Sequence, residues 1–356
     1  MLLAALTRDF GTSGRVLAGP FSTAVACFAL SVVAAGRAVD HYGPRRTSAL
    51  AGVLSGTGLT VTALAQQLVL LHVGFGLLFG VGSGLAYSSV VTWASTRADA
   101  GAPGSVGLVV AAYAAGPVVA GPVVGLGAAA WGWRATVLLG AAVVTVVTVL
   151  ASRMLPDAPV GARSTPGPTA RGTDLAASVA LWLLFLSATA PGLFAFAYAA
   201  ELAAQRELDQ RLGGLAVASM GMGNLLGRLA ADPLIARVGL RTALRIDVVL
   251  MGVALVALTS LSGQAAALLS LVLLALQYGA LSALLPTAVR RVCDASRFGS
   301  TYGLVFSAWG LAGVLAPRLH DPAATDGAAL GPWVVLTVSA IASLSMYERL
   351  ARQHRP

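Results

Sequence analysis

Two short stretches of this chain concentrate residues that could do polar chemistry. GRAVDHYGPRR, residues 36–46, sets Asp40 and His41 among Arg37, Arg45 and Arg46. GRLAADPLIARVGLR, residues 227–241, sets Asp232 among Arg228, Arg237 and Arg241. A guanidinium is a rigid fork of donors that matches the two oxygens of a carboxylate, so Arg228 is a candidate anion ligand. A carboxylate such as Asp40 gains where it meets the unpaired N–H groups that open a helix. Asn224 stands one turn before Arg228 and Asp232 one turn after it, which places all three on one helix face. Catalysis is not expected. Cys27 and Cys293 are far apart, and His41, His72, His320 and His354 show no metal-ligand spacing. There is no phosphate-binding glycine loop and no nucleophile–base pair. Neither an enzyme activity nor a cofactor nor a metal site is expected.

The elements that must position these residues are poor in charge. Only 10% of residues are charged and 57% are hydrophobic, with a mean hydropathy of +0.82, whereas a soluble domain is about a quarter charged. Crossing a hydrocarbon layer as a helix takes roughly 20 residues. Uncharged or nearly uncharged runs of that order occur at 16–36, 47–72, 69–94, 106–127 and 135–151, then at 175–200, 212–226, 248–262, 265–288, 301–316 and 330–345. They overlap at turns and read as about eleven spans. A soluble helical protein would need a charged face on most helices, and most of these have none. The expected fold class is therefore an all-α polytopic membrane protein with the lipid bilayer as its surroundings. The formal charge of +9 does not point to nucleic acid, which needs basic residues collected on one face. All 23 basic residues are arginine, and they sit mostly in alternate loops. Arg45/Arg46, Arg237/Arg241/Arg245, Arg290/Arg291/Arg297 and Arg349/Arg352/Arg355 fall on one side if every run crosses once, and that side is expected to be cytoplasmic. The expected setting is the plasma (cytoplasmic) membrane, multi-pass, with the C-terminus inside and the N-terminus outside.

The chain reads as two halves. Residues 152–174 hold four prolines and no apolar periodicity, the composition of a linker. The expected domains are an N-terminal bundle of five spans over 1–151, a cytoplasmic linker over 152–174 and a C-terminal bundle of six spans over 175–356. Superposing Gly43 on Gly239 brings Arg45 onto Arg241, Asp40 onto Ala236 and Gly36 onto Asp232. Two halves with one arginine-bearing hairpin each are what an internally duplicated transporter predicts. On this count the first half lacks its first helix, since the apolar start of MLLAALTRDFGTSGR is too short to span. A truncated gene call and a real loss are both open. A monomer is expected.

Gly36, Asp40, Gly43, Arg45 and Arg46 resemble the loop signature of the major facilitator superfamily: glycine, three residues, aspartate, a basic position, then glycine and two basics. His41 replaces the usual arginine. Gly132, Trp133 and Arg134 resemble the turn that opens the sixth helix of many members. In the second half, Asn-Leu-Leu-Gly-Arg ending at Arg228 and Gln-Tyr-Gly-Ala from Gln277 resemble the oxalate/formate antiporter and monocarboxylate porter branch. So do Arg297-Phe-Gly299, Tyr302-Gly303, Gly313 and Ala316-Pro317. The resemblance implies two pseudo-symmetric helical bundles that rock about a central site, with the loop signature clamping one state. Gly36, Asp40, Gly43, Arg45 and Arg46 would then be gating residues. In the second half Ala236 stands where a second aspartate is common, so Asp232, one turn earlier, is expected to take over the pairing, with Arg228 as its candidate partner. The alternative for Arg45 and Arg46 is a topological role with anionic lipid.

The same resemblance implies that Arg228, about 12 Å from its helix end at 1.5 Å per residue, binds or gates a substrate carboxylate. Asn224 is placed beside it and Trp309 on the facing wall or close to it. The bland alternatives for Arg228 are snorkelling and a structural pair with Asp232. Trp309 replaces the lysine that oxalate transporters carry in the eleventh helix. With one central cation a dianion would be poorly compensated for its lost hydration, so a small organic monoanion is the expected substrate, with protons as a candidate second ligand. The rival reading is a proton-coupled drug or metabolite efflux antiporter, whose glycine/proline-rich motif Ala115–Gly125 matches only in part. Glu201 is a candidate proton site for either reading and equally an ordinary loop carboxylate. A homologue without flux, or a sensor, is the third alternative.

Overall fold

A computed structural model describes residues 2–12, 14–99, 105–157, 174–205, 210–260, 263–316 and 331–353. Their secondary structure is helical throughout. Apolar runs without charge leave no water to satisfy backbone groups inside a bilayer, so each run closes its own hydrogen bonds as a helix. The order is α1 (Leu2–Phe10), α2 (Gly14–Tyr42), α3 (Pro44–Ala63) and α4 (Leu68–Leu71), which continues through a π-helical segment His72–Phe79 into α5 (Gly80–Asp99). Then come α6 (Ser105–Trp131), α7 (Trp133–Ser152), α8 (Leu175–Gln205), α9 (Gln210–Val238), α10 (Leu240–Ser260), α11 (Gln264–Arg290), α12 (Phe298–Leu315) and α13 (Gly331–Gln353). Two of the sharp turns share one device. Gly43 ends α2 with φ 84° and Gly239 ends α9 with φ 79°, a left-handed backbone that costs a side-chain-bearing residue dearly. The hairpins that superpose in sequence thus both turn on a positive-φ glycine.

Nine helices among the described residues are long and apolar enough to cross a membrane. The expected count was about eleven in a five-plus-six division, and two further helices of spanning length stand between the two numbers. The difference lies in α3 and α9, which are of spanning length but too polar. α3 opens on Arg45 and Arg46 and carries Thr47, Ser48, Ser55, Thr57, Thr60 and Thr62. α9 carries Arg211, Arg228, Asp232 and Arg237. Several α3 hydroxyls turn inward onto helix carbonyls, as Thr47, Thr60 and Thr62 do, which hides their polarity from lipid without making the segment apolar by composition. Conversely, α7 leaves Leu139, Val143, Val146, Val147 and Leu150 more than half exposed, the surface that a hydrocarbon solvent covers.

The chain separates into two compact units. One comprises Met1–Thr96, Ala115–Ala170 and Ala295–Gly303; in it α3 packs on α7 and on the π-helical segment, which also packs on α2. The other comprises Arg97–Ala114, Arg171–Asp294 and Leu304–Pro356. There α11 is central, packed on α8, α9 and α10, with α13 against α8 and α10. The start of α8 is capped by Asp174, whose Oδ1 accepts from Ala177 N at 2.9 Å.

Candidate functional site

Arg228 is held where α9 and α11 touch backbone to backbone. A methyl group at Gly227 would collide with the Leu276 carbonyl, and one at Gly279 with the Asn224 carbonyl, so only glycine admits this approach. The close contact leaves Arg228 5% exposed. Its Nε donates to Asn224 Oδ1 at 3.1 Å and its Nη1 to the Val110 carbonyl of α6 at 3.0 Å. The guanidinium carbon lies 5.9 Å from the Tyr278 ring centroid, within reach of a cation–π interaction. The four ion pairs among the described residues do not include Arg228.

Tyr278 connects Arg228 to Trp309. Trp309 Nε1 donates to Tyr278 Oη at 2.8 Å, and Trp309 stacks on Phe306 with centroids 5.6 Å apart. Phe196 meets Tyr278 edge-on at 5.9 Å. The expected placement of Trp309 on a facing wall is therefore corrected: Trp309 and Arg228 belong to the same unit, with one tyrosine between them. Tyr278 was visible in the sequence only as part of a family motif. An aromatic ring in an apolar span carries no signal that separates a site residue from core.

Asp40 makes a different kind of contact. Its Oδ1 accepts from Gly299 N at 3.0 Å and its Oδ2 from Ser300 N at 2.8 Å, so both oxygens sit on the first turn of α12. Those N–H groups have no partner within their own helix, and the helix dipole adds to the attraction. Gly36, one turn earlier on α2, lies against Gly299, where a methyl group would overlap the Gly299 carbonyl. One turn further along α12, Tyr302 Oη bonds Tyr87 Oη at 3.1 Å. Arg45 and Arg46 pair with Asp157 at 3.8 and 3.4 Å, all three side chains substantially exposed, a geometry worth little in free energy. Gly43 supplies the turn between Asp40 and these arginines.

Asp232 does not pair with Arg228. Its Oδ2 accepts from Gly107 N, in the first turn of α6, at 2.9 Å. Both side chains reach from α9 to α6, and α6 sorts them by its own polarity. The carboxylate takes an N–H at the helix start, and the guanidinium takes the carbonyl of Val110 one turn further in. Spacing along α9 put Arg228 and Asp232 on one face but carried no information about the helix packed across from it. The side chain of Glu201 lies outside the described residues. No cluster of three or more metal-ligating side chains occurs among those described.

Residues 1–317 match the family model of the Major Facilitator Superfamily. The chain belongs to the major facilitator superfamily. Its function is secondary transport across a membrane, not catalysis. A similar curated superfamily protein is the uncharacterized MFS-type transporter YhjX of Escherichia coli K12, 24% identical over 319 residues that cover 80% of this chain and 73% of that protein. Among solved structures, the E. coli fucose:proton symporter FucP matches with a TM-score of 0.66 at 12% identity, covering 100% of this chain and 96% of that one. The proton:xylose symporter XylE matches with a TM-score of 0.74 at 15% identity, covering 98% and 90%. The human organic anion transporter MFSD10 matches at 0.62 and 16% identity, covering 95% and 83%. At these identities the structures share the superfamily fold.

Proposed function

We propose that this transporter moves a small organic monoanion of monocarboxylate type by alternating access, in the manner of the oxalate/formate and monocarboxylate branch that its second half resembles. The observation that carries the reading is the state of Arg228. A cation 5% exposed and bonded only to neutral acceptors among the described residues is electrostatically incomplete, and an anion completes it. The neighbouring Tyr278, Trp309 and Phe306 rings offer an apolar body the surface it needs and bring no second positive charge, which favours a monoanion over a dianion. Arg228 and Asn224 are the polar ligands in this reading, and Trp309 and Tyr278 the walls.

Asp40 on the α12 N-terminus and Asp232 on the α6 N-terminus are the contacts that the cycle makes and breaks, with Gly36, Gly43, Arg45 and Arg46 shaping the first of them. The arginine-bearing turns after α2 and α9 face the cytoplasm, and so does the C-terminus. Binding is testable on purified protein in detergent, because a ligand that binds only the folded state raises its melting temperature. A panel of monocarboxylates, dicarboxylates, sugars and cationic drugs should give stabilisation by monocarboxylates, lost in Arg228→Ala. Stabilisation by a cationic drug, unchanged in Arg228→Ala, moves the protein to the efflux alternative.

A further inference from the structure

Asp247 on α10 and Gln277 on α11 form a polar pair that the reading above does not use. Asp247 is 2% exposed and Gln277 0%. Gln277 Nε2 donates to Asp247 Oδ2 at 2.8 Å. The two remaining oxygens, Asp247 Oδ1 and Gln277 Oε1, are both buried and meet no donor among the described residues. Turning the amide over does not help, since it would set oxygen against oxygen. The pair therefore holds three acceptors and only one bonded donor, and what it lacks is one hydrogen.

Among the described residues no charged group bonds either oxygen. On α10 itself, Arg245 is engaged by Glu348 of α13. From α9, Arg228 is bonded to Asn224 and Val110 and Asp232 to Gly107. From α11, Tyr278 accepts from Trp309; from α13, Tyr347 donates to the Ala288 carbonyl. The α8 residues 175–196 include no ionisable side chain. A buried ionised carboxylate with one neutral hydrogen bond is a costly state, whereas a carboxylic acid paired with a primary amide satisfies every polar atom of both groups.

We propose that Asp247 and Gln277 form a proton-binding site. Asp247 carries a proton on Oδ1 and donates it to Gln277 Oε1, while Gln277 Nε2 donates back to Asp247 Oδ2. The site adjoins the anion cluster along α11. Gln277 holds the acid, the next residue, Tyr278, holds Trp309 and underlies Arg228, and Gly279 makes the close contact with Asn224. Losing the proton leaves a bare charge between α10 and α11 and so changes the packing of the helix that carries Tyr278. The link to substrate rests on the anion reading; the proton itself does not.

Infrared spectroscopy of the full-length protein in phosphatidylcholine nanodiscs tests the site without any knowledge of the cargo. At neutral pH the difference between wild type and Asp247→Asn should contain a protonated-carboxyl C=O band that shifts in D2O. That band should fade as pH is raised and return when it is lowered. Gln277→Leu keeps the acid but removes its partner, so it should move the band without deleting it, which also decides the matter if Asp247→Asn does not fold. Arg228→Ala should leave the band in place, separating this site from the cargo assignment. A difference spectrum with only carboxylate bands at neutral pH overturns the proposal. So does a protonated band indifferent to both pH and D2O, which would mark a sealed structural acid.

Discussion

At Arg228 the fold fixes one side chain between two neutral acceptors and an aromatic ring, and the consequences of altering it differ by chemistry. Arg228→Lys keeps the charge and loses the fork. At about 1.5–3 kcal/mol for a charged hydrogen bond, monoanion affinity should fall about 10- to 100-fold, read from ligand-dependent melting curves. Tyr278→Phe keeps the ring beneath the guanidinium and removes the acceptor of the Trp309 N–H. A neutral hydrogen bond is worth about 0.5–1.5 kcal/mol, so affinity should fall about 2- to 10-fold. An unchanged affinity would remove Tyr278 from the site. Arg228 was legible in the sequence because a charge in an apolar span is conspicuous. Tyr278 and Asp247 were not: the first has the look of core, and the second stands at the edge of a run where a carboxylate reads as an ordinary flank.

Helix starts are the recurring device at the scale of elements. Asp40 caps α12 and Asp232 caps α6, one carboxylate from each of the hairpins whose glycines share a left-handed turn. Asp40→Asn leaves shape intact and removes the charge. The lost attraction is up to about 2 kcal/mol when partly buried, enough to shift a two-state population by roughly 10-fold or more. A cysteine placed at Ser300 should then be labelled faster in the variant, with melting temperature nearly unchanged. Equal labelling rates would make the contact static and sink the gating role. Gly279→Val acts differently, since its branched side chain has no room beside the Asn224 backbone. It should cost at least about 1–3 kcal/mol from overpacking and lower the melting temperature with or without ligand. The charged hairpins announced themselves in the sequence through composition. Their partners, Gly299 and Gly107, did not, because a backbone N–H has no residue type to mark it and lies far away along the chain.

For the whole molecule, the membrane-spanning all-α class was legible from charge scarcity, which follows from solvation, and the superfamily from the resemblance of the loop signature. The division between lipid-facing and inward surfaces was not, because α7 and α11 are equally apolar by composition while only α11 is buried along most of its length. Orientation is a matter for labelling in intact cells. A cysteine at Gln66, exposed in the turn after α3, should react with a membrane-impermeant maleimide, and one at Arg46 only after permeabilisation. The reverse pattern would invert the assigned topology. The central claim, that Arg228 holds a carboxylate cargo during transport, is tested most directly by radiolabelled counterflow in vesicles reconstituted with wild type or Arg228→Ala. The account predicts saturable exchange of a monocarboxylate by the wild type, weaker exchange of oxalate, and loss of both in the variant despite normal insertion. Monocarboxylate exchange at the wild-type rate in Arg228→Ala would contradict it.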